Sequence, residues 1–241
     1  MQFSSLSESG LTHGVFSRHG GVSPSPFRSL NTSYGVGDSE ANVAANRQRF
    51  KEALGVGTLV SAVQVHGGKV LDVTEEPEGD LEVAGYDALI TRCNIGLMIQ
   101  QADCQAVLFF APDRRVIGIA HAGWKGSVVG ILGETVALMV ENYGVDSARI
   151  KAAISPSLGA CCAEFVNYRQ ELPGWMHGYQ VAPNYFDFQA ISRAQLVEAG
   201  LAKENISAAP ICTRCSPDYF SYRRTKTTGR FASVIGLACG S

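Results

Sequence analysis

Six short apolar stretches between residues 59 and 120 constrain the fold of this chain more than any other feature of its sequence. Each is apolar throughout or alternates apolar with polar residues, and turn-forming residues such as glycine, or a Pro-Asp-Arg turn, separate one from the next. Such lengths and boundaries are typical of β-strands. The predicted strands are residues 59–66, 69–73, 87–91, 96–101, 105–111 and 116–120. This part of the chain is therefore predicted to be rich in β-sheet.

Three helices are predicted around this sheet-rich centre, because apolar residues recur there at helical spacing. The predicted helices are residues 39–54, 124–143 and 187–200, and two further predicted strands are residues 150–154 and 231–239. The strand that ends at residue 120 leads into the second helix through the junction His121-Ala-Gly-Trp-Lys-Gly126. Strands and helices that mix without strict alternation indicate an α+β fold or a layered α/β sandwich.

Composition and charge limit the classes of partner. The 241 residues are 46% hydrophobic and 17% charged, with no linker-like segment, which predicts one globular domain spanning residues 1–241. The 20 basic and 22 acidic side chains give a formal net charge of −2 without charged blocks. Neither nucleic acid nor a membrane surface is therefore an expected partner, and a small-molecule substrate is.

The cysteines and the amino terminus bear on location. Seven cysteines, an odd number with no framework spacing, indicate free thiols in a reducing compartment. Neither an export signal nor an apolar stretch of membrane-spanning length is visible in the sequence. The expected location is the cytoplasm.

Two histidines and a cysteine are the candidate metal ligands. His66, Cys104 and His121 each lie at an end of a predicted strand, beside small residues that permit close approach. Two imidazoles and a thiolate form a three-ligand catalytic zinc set with a fourth position open, and zinc lowers the pKa of bound water to roughly 7. Because these residues are far apart in sequence, residue types alone leave open buried structural histidines and a buried thiol instead.

A series of short motifs runs in order over nearly the whole chain. They are Thr12-His-Gly-Val-Phe-Ser-Arg-His-Gly-Gly-Val22, Ser29-Leu-Asn31, Gln64-Val-His-Gly67, Tyr86-Asp-Ala-Leu-Ile-Thr91, Ala102-Asp-Cys104, the 121–126 junction, Ser155-Pro-Ser157 with Cys161-Cys162, Phe220-Ser-Tyr-Arg-Arg224 and Thr228-Gly-Arg230. In this order they resemble the YfiH family, which is also called laccase-domain or multicopper polyphenol oxidase-like. Two departures from the family pattern, Ser155-Pro156 and Ala163, concern the predicted wall of the pocket.

The resemblance implies a single-domain α/β/β/α sandwich with mixed sheets. It also implies zinc bound by His66, Cys104 and His121, with copper as the metal that the older oxidase name suggests. The activity it implies is phosphorolysis of adenosine, inosine and methylthioadenosine by a purine nucleoside phosphorylase, with adenosine deamination as a second activity.

Phosphorolysis requires an anion to be held beside the glycosidic carbon, and several basic residues are candidates for this task. Arg18 and Arg223, with the neighbouring Arg224, could supply bidentate contacts to phosphate. Lys125 and the backbone amides that open the predicted helix at residue 124 offer a second anion site. The alternative for each is a solvated or salt-bridged surface residue.

Three other polar residues lie next to the candidate ligands. Asp87 and Asp103 could orient a ligand histidine or carry a proton, or could be turn carboxylates. Gln64, two residues before His66, would point to the same face of a strand and could reach a purine edge or a bound water.

Two other activities remain open at this point. In a cysteine hydrolase that edits peptidoglycan precursors, Cys104 would be the nucleophile and His121 its base. A copper oxidase would use the same His₂Cys set, but the nearest methionine, Met98, lies upstream.

The remaining cysteines are expected to be ordinary thiols. Cys212-Thr-Arg-Cys215 could be half of a zinc knuckle, but the sequence has no second motif of this kind. The adjacent Cys161 and Cys162 are not expected to chelate one ion together.

Overall fold

The computed structural model describes residues 1–238, and two large mixed β-sheets dominate it. The strands are β1 (Leu11–Val15), β2 (Leu59–Val63), β3 (Val70–Val73), β4 (Leu81–Ala84), β5 (Ala88–Thr91), β6 (Gly96–Gln101), β7 (Gln105–Ala111), β8 (Val116–Ala122), β9 (Lys151–Ile154), β10 (Gln180–Ala182), β11 (Tyr185–Phe186), β12 (Ile206–Ala208) and β13 (Phe231–Leu237). The helices are α1 (Glu40–Leu54), α2 (Trp124–Val128), α3 (Ile131–Tyr143), α4 (Tyr168–Glu171) and α5 (Phe188–Glu198).

The two sheets have different strand orders. The five-stranded sheet has the order β1-β13-β6-β2-β4, in which β6, β2 and β4 are parallel and the other pairs antiparallel. The six-stranded sheet has the order β12-β9-β7-β8-β5-β3, with parallel pairs only at its two edges. Strands β10 and β11 form a separate antiparallel pair.

Alternating side chains build a core on each face of the central strands. On β7, Leu108 and Phe110 belong to the core between the sheets, whereas Val107 and Phe109 belong to the core under the helices. Every residue of β7, β8 and β13 is buried, because both faces of these strands are covered.

Helices cover both outer faces of the pair of sheets. Val136 of α3 and Leu196 of α5 pack on the six-stranded sheet. Phe50 of α1 packs with Met98 and Val234 on the five-stranded sheet. The layers are therefore helix, sheet, sheet and helix, which confirms the predicted α+β fold with mixed sheets. No helix within residues 1–238 is long and apolar enough to cross a membrane.

Several predicted boundaries are wrong in informative places. The predicted helix 124–143 is divided into α2 and α3, because Gly130 between them has a left-handed backbone (φ 79°). The predicted strand 59–66 ends at residue 63, and His66 lies in a connection with φ 59°. His13, which lies outside every predicted strand, is buried in β1. Residue 239, which closed the last predicted strand, lies outside the described residues.

Three connections between the sheets position the site. The chain passes from the five-stranded to the six-stranded sheet after β2, β4 and β6. Since these three strands are parallel neighbours, the connections that follow them leave the sheet at one edge. They contain His66, Asp87 and Cys104, respectively.

Candidate active site

His66, Cys104 and His121 meet at this edge of the sandwich. The Cys104 Sγ lies 3.9 Å from the His66 Nε2, and the centroids of the two imidazole rings are 4.7 Å apart at an angle of 76°. One ligand atom from each of the three residues lies within 4.8 Å of the others. The structure thus brings together the three residues that the sequence singles out as ligands.

Asp87 organises two of the three ligands. Its fully buried carboxylate accepts hydrogen bonds from the backbone N–H groups of Val65 (3.2 Å), His66 (2.9 Å) and Gly67 (2.7 Å). It also accepts one from the His121 Nδ1 at 2.8 Å, which leaves the Nε2 of His121 to face the other ligands. Burial alone would raise the pKa of Asp87, but the hydrogen bonds from His121 and the backbone outweigh it and lower the pKa. Asp87 is therefore a carboxylate that holds both histidines in place.

Cys104 and His121 form a strongly interacting pair. Burial would raise the pKa of the Cys104 thiol, but the neighbouring His121 and His66 outweigh it and lower the pKa to about 6. Burial would lower the pKa of His121, but the Cys104 thiolate and Asp87 outweigh it and raise that pKa to about 9. Without a metal, the thiolate form of Cys104 is therefore favoured, and a thiolate is the form that binds zinc.

The donor set fits a zinc ion. Two imidazole nitrogens and a thiolate are the ligand types of catalytic zinc sites. Gly123 allows the ligands to converge, because a Cβ at this position would lie 3.0 Å from both the Cys104 Sγ and the His66 Cδ2.

His66 and Cys104 line two adjoining cavities, which we name for their walls. The aromatic cavity has a volume of about 330 Å³. Its aromatic lining residues are Trp124, Phe165, Phe188 and Tyr222, and its basic ones are Arg223 and Lys226. The polar cavity has a volume of about 730 Å³, and its polar lining residues include Gln64, Glu82, Gln100, Gln101, His121 and Arg230.

The predicted substrate residues divide into two groups. Arg223 lines the aromatic cavity and Gln64 the polar cavity. Arg18 and Lys125 line neither: the Arg18 guanidinium donates to the carbonyl of Arg28 at 2.7 and 2.9 Å, and Lys125 is exposed.

Two arguments behind those predictions are wrong. Gln64 is not on the same strand face as His66, because β2 ends at Val63, and both ends of its amide bond the backbone of Gln100. The second anion site was predicted at the amino terminus of a long helix, but the helix that begins at Trp124 has only five residues.

Asp103 supports the cavity wall. It accepts a hydrogen bond from the Thr213 Oγ1 at 2.7 Å and one from the backbone N–H of Arg223 at 2.6 Å. Its own carbonyl accepts from the N–H of Leu158 at 2.8 Å. Among residues 1–238, no hydrogen bond joins the side chain of Asp103 to a ligand histidine, so of the two predicted aspartates only Asp87 orients one.

Sequence reasoning missed most of the cavity walls. Phe165, Phe188 and Lys226 come from segments without a recognisable signal, whereas Trp124, Tyr222 and Arg230 lie within motifs quoted above.

A second group of potential ligands lies outside both cavities. The sulfur atoms of Cys161, Cys162, Cys212 and Cys215 all lie within 4.8 Å of one another and could hold a metal ion. The expectation that the adjacent Cys161 and Cys162 would not share an ion is therefore wrong, because their sulfur atoms lie close enough together to bind the same ion. In the sequence, the Cys212-x-x-Cys215 spacing is the feature that indicates this potential metal site.

Comparison with known proteins identifies the family. The family model described as "Multi-copper polyphenol oxidoreductase laccase" matches residues 12–238. The crystal structure of YlmD from Geobacillus stearothermophilus superimposes with a TM-score of 0.89 at 32% identity, covering 98% of this chain and 94% of that one. That of the hypothetical protein YfiH from Bacillus licheniformis has a TM-score of 0.85 at 32% identity, covering 94% and 92%. The chain belongs to this laccase-domain family of YfiH and YlmD proteins, which confirms the resemblance.

Named relatives of similar length are described as enzymes. "Purine nucleoside phosphorylase YlmD" of G. stearothermophilus is 34% identical, covering 94% of this chain and 90% of the relative. "Purine nucleoside phosphorylase ORF3" of Streptomyces griseus is 37% identical, covering 95% of each.

Proposed function

We propose that this protein is a zinc-dependent purine nucleoside phosphorylase. Its substrates are adenosine, inosine and methylthioadenosine with phosphate, and adenosine deamination is a second activity. The observation that carries the proposal is the convergence of His66, Cys104 and His121 beside a cavity that combines aromatic walls with two basic side chains. The names of the relatives support the reaction class. The cytoplasmic location expected from the free thiols belongs to the same proposal.

The aromatic cavity suits a purine. Trp124, Phe165 and Phe188 line it, and a flat heterocycle gains from packing against aromatic side chains. A volume of about 330 Å³ is at the lower end of the range for small-molecule sites, so it matches a base better than a whole nucleotide.

Arg223 and Lys226 would hold phosphate. Both line the aromatic cavity, and the Arg223 Nη1 is fixed by hydrogen bonds to the carbonyls of Cys162 (3.1 Å) and Glu164 (3.2 Å). A fixed guanidinium keeps its remaining N–H groups in a constant orientation toward an anion. In the reaction a phosphate oxygen bonds to C1′ of the ribose as the C1′–N9 bond breaks, and the base leaves with the bonding electrons and takes up a proton.

His66, Cys104 and His121 would hold the metal. When bound there, zinc supplies a Lewis acid that stabilises negative charge developing on an oxygen of the reactants. Asp87 keeps the proton of His121 on Nδ1, so that the Nε2 lone pair is available as a ligand.

Product analysis tests the proposal. Zinc-loaded full-length protein is expected to convert inosine to hypoxanthine and ribose 1-phosphate only when phosphate is present, and adenosine in part to inosine and ammonia. Cys104→Ala should lower the rate by more than about 100-fold. Cys93→Ser is the matched control, because the Cys93 thiol bonds the carbonyls of Val73 and Thr74 away from the cavities. Zinc-replete protein that releases no hypoxanthine would exclude the phosphorylase.

A cysteine hydrolase that acts on peptidoglycan precursors is the second candidate. The observation in its favour is that Cys104, His121 and Asp87 lie in the order of a nucleophile, a base and the group that orients the base. A thiolate held by zinc is a poor nucleophile. Amidase activity that survives strong chelation, together with a covalent adduct trapped on Cys104, would favour this candidate over the phosphorylase.

The copper oxidase has less support. Met98 is fully buried between α1 and the five-stranded sheet, away from the candidate ligands, so it does not supply the weak axial thioether of a blue-copper site. Intense blue absorption of the copper-loaded protein would revive this candidate.

A further inference from the structure

We infer that Cys161, Cys162, Cys212 and Cys215 form a second, structural zinc site that fixes one wall of the aromatic cavity. Four thiols would release their protons as they bind one Zn²⁺, giving a closed four-sulfur site with no open position. We name these residues the four-cysteine cluster.

The distances between the sulfur atoms match such a site. The Sγ of Cys162 lies 3.7 Å from that of Cys161 and 3.5 Å from that of Cys215, and the Sγ atoms of Cys161 and Cys215 are 3.8 Å apart. A tetrahedral zinc with sulfur ligands at about 2.3 Å requires S···S distances of about 3.8 Å. A disulfide would require about 2.05 Å. The sulfur atoms of Cys161, Cys162 and Cys215 therefore have the spacing of ligands around one ion, and the sulfur of Cys212 lies within 4.8 Å of them.

The backbone around the cluster is tightly folded. The backbone N–H of Ser216 donates to the carbonyl of Cys212 at 2.9 Å, which closes the turn that carries the Cys-x-x-Cys knuckle. A Cβ on residue 159 would lie only 2.9 Å from the Cβ of Cys212, so this close approach requires glycine. Arg214 lies between Thr213 and Cys215 in the same turn, so its positive charge would offset part of the net charge of −2 of a four-thiolate zinc site.

A separate arginine holds the loop that carries Cys215. The guanidinium of Arg224 donates to the carbonyls of Thr213 (2.9 Å), Arg214 (3.0 Å) and Ser216 (2.8 Å). The knuckle is thus preorganised by contacts that do not involve the sulfur atoms.

The cluster joins the two segments that form the wall of the aromatic cavity. Residues 157–165 contribute Leu158 and Phe165 to the lining, and residues 212–226 contribute Arg223 and Lys226. Direct links between these segments include the bridge between Ser157 and Cys212. A metal ion bound by two cysteines from each segment adds a covalent-strength link beside these contacts, and so fixes the distance between the aromatic wall and the basic residues.

Zinc content tests the inference without dependence on the proposed enzyme activity. His66→Ala/Cys104→Ala removes two ligands of the active-site set, and this full-length variant is expected to retain one zinc per chain by elemental analysis. Adding Cys161→Ser/Cys215→Ser should reduce the content to none, whereas adding Cys93→Ser should leave it at one. No zinc in the first variant, or one zinc still bound after the cluster substitutions, would overturn the inference, and so would iron in place of zinc.

A second measurement leaves the cluster intact. The same His66→Ala/Cys104→Ala protein loaded with Co²⁺ is expected to show the strong visible bands of tetrahedral cobalt thiolate. A weak octahedral spectrum, or a disulfide between cluster cysteines found by mass spectrometry of the freshly purified protein, would contradict the inference. Neither result depends on whether His66, Cys104 and His121 bind zinc, so the two sites are judged separately.

Discussion

Asp87 is the residue on which the arrangement of the candidate active site depends most. It is fully buried, yet it makes four hydrogen bonds to groups of the 65–67 connection and of His121. A carboxylate accepts all four, whereas an amide of the same size replaces one acceptor oxygen by a donor. The left-handed conformation of His66 is sustained by these contacts rather than by local preference.

Asp87→Asn is expected to lower zinc affinity by roughly 10–100-fold and the free energy of unfolding by about 3 kcal/mol. A zinc competition titration and urea unfolding measure the two effects. Asp187→Ala is the control, because the side chain of Asp187 caps α5 through the N–H of Ala190 and makes no hydrogen bond to His66, Cys104 or His121 among the described residues. This substitution should lower the free energy of unfolding by about 1 kcal/mol and leave zinc affinity unchanged. Equal zinc affinity in wild type and Asp87→Asn would contradict the role given to Asp87.

Two exposed lysines distinguish between two predictions of where phosphate binds: the sequence predicts a site at Lys125, whereas the structure favours one at Lys226. Lys226 lines the aromatic cavity, whereas Lys125 lies outside both cavities. Lys226→Ala is expected to raise the KM for phosphate by roughly 3–10-fold, as befits an exposed cation, with little change in the KM for inosine. Lys125→Ala should change neither constant. Steady-state kinetics with phosphate as the varied substrate would refute this assignment if Lys125→Ala had the larger effect.

At the scale of single elements, the break between α2 and α3 offers a matched pair of substitutions. Gly130 has φ 79°, and Gly133 lies within α3, and an added Cβ would meet no atom within 4 Å at either position. Gly130→Ala should therefore lower the free energy of unfolding by about 1 kcal/mol, since only backbone strain is added. Gly133→Ala should raise it by about 0.5–1 kcal/mol, because alanine favours helix. Chemical unfolding would contradict this account if both substitutions had the same sign.

Elements with both faces buried are the ones that the sequence predicts well. Strands β6 and β7 begin and end at the predicted residues, because turn residues bound each apolar run. Strand β4 was missed because its residues are exposed or half-buried and its apolar pattern is weak. The premature end of β2 was missed for another reason: Asp87, which holds the 65–67 connection, is distant in sequence.

The candidate site follows the same division. Its three ligands were found because each lies in a specific motif, although only the fold shows that they converge. The walls of the aromatic cavity come from helix and loop residues such as Trp124, Phe165 and Phe188, whose proximity depends on tertiary packing. The four-cysteine cluster was missed because its two pairs are about 50 residues apart, and no local pattern joins them.

At the scale of the whole molecule, a buried histidine links the amino terminus to the five-stranded sheet. The Nε2 of His13 in β1 accepts a hydrogen bond from the backbone N–H of Phe3 at 2.8 Å. Burial is the main cause that lowers the pKa of His13, so the folded protein favours the neutral ring. The interpretation of residues 1–241 as one domain stays a prediction.

The sign of the pH effect follows from this pKa. In the unfolded chain His13 takes up a proton near its ordinary pKa of about 6.5, whereas in the folded protein it does so only at lower pH. Its contribution to stability is therefore complete above about pH 6.5 and is lost as the pH falls through the folded pKa. His13→Gln keeps an acceptor but cannot titrate, so the advantage of wild type over this variant should shrink from about pH 7.5 to about pH 5.5. A constant difference in the free energy of unfolding would disprove the effect.

The most direct test of the account is a crystal structure of the zinc-loaded protein soaked with inosine and a phosphate analogue, with diffraction data collected at the zinc absorption edge. We predict an anomalous peak bonded to the Nε2 atoms of His66 and His121 and the Sγ of Cys104, with the ribose C1′ beside it and the base against Trp124, Phe165 and Phe188. An absence of anomalous signal between these three ligands, or a nucleoside bound elsewhere, would contradict the account.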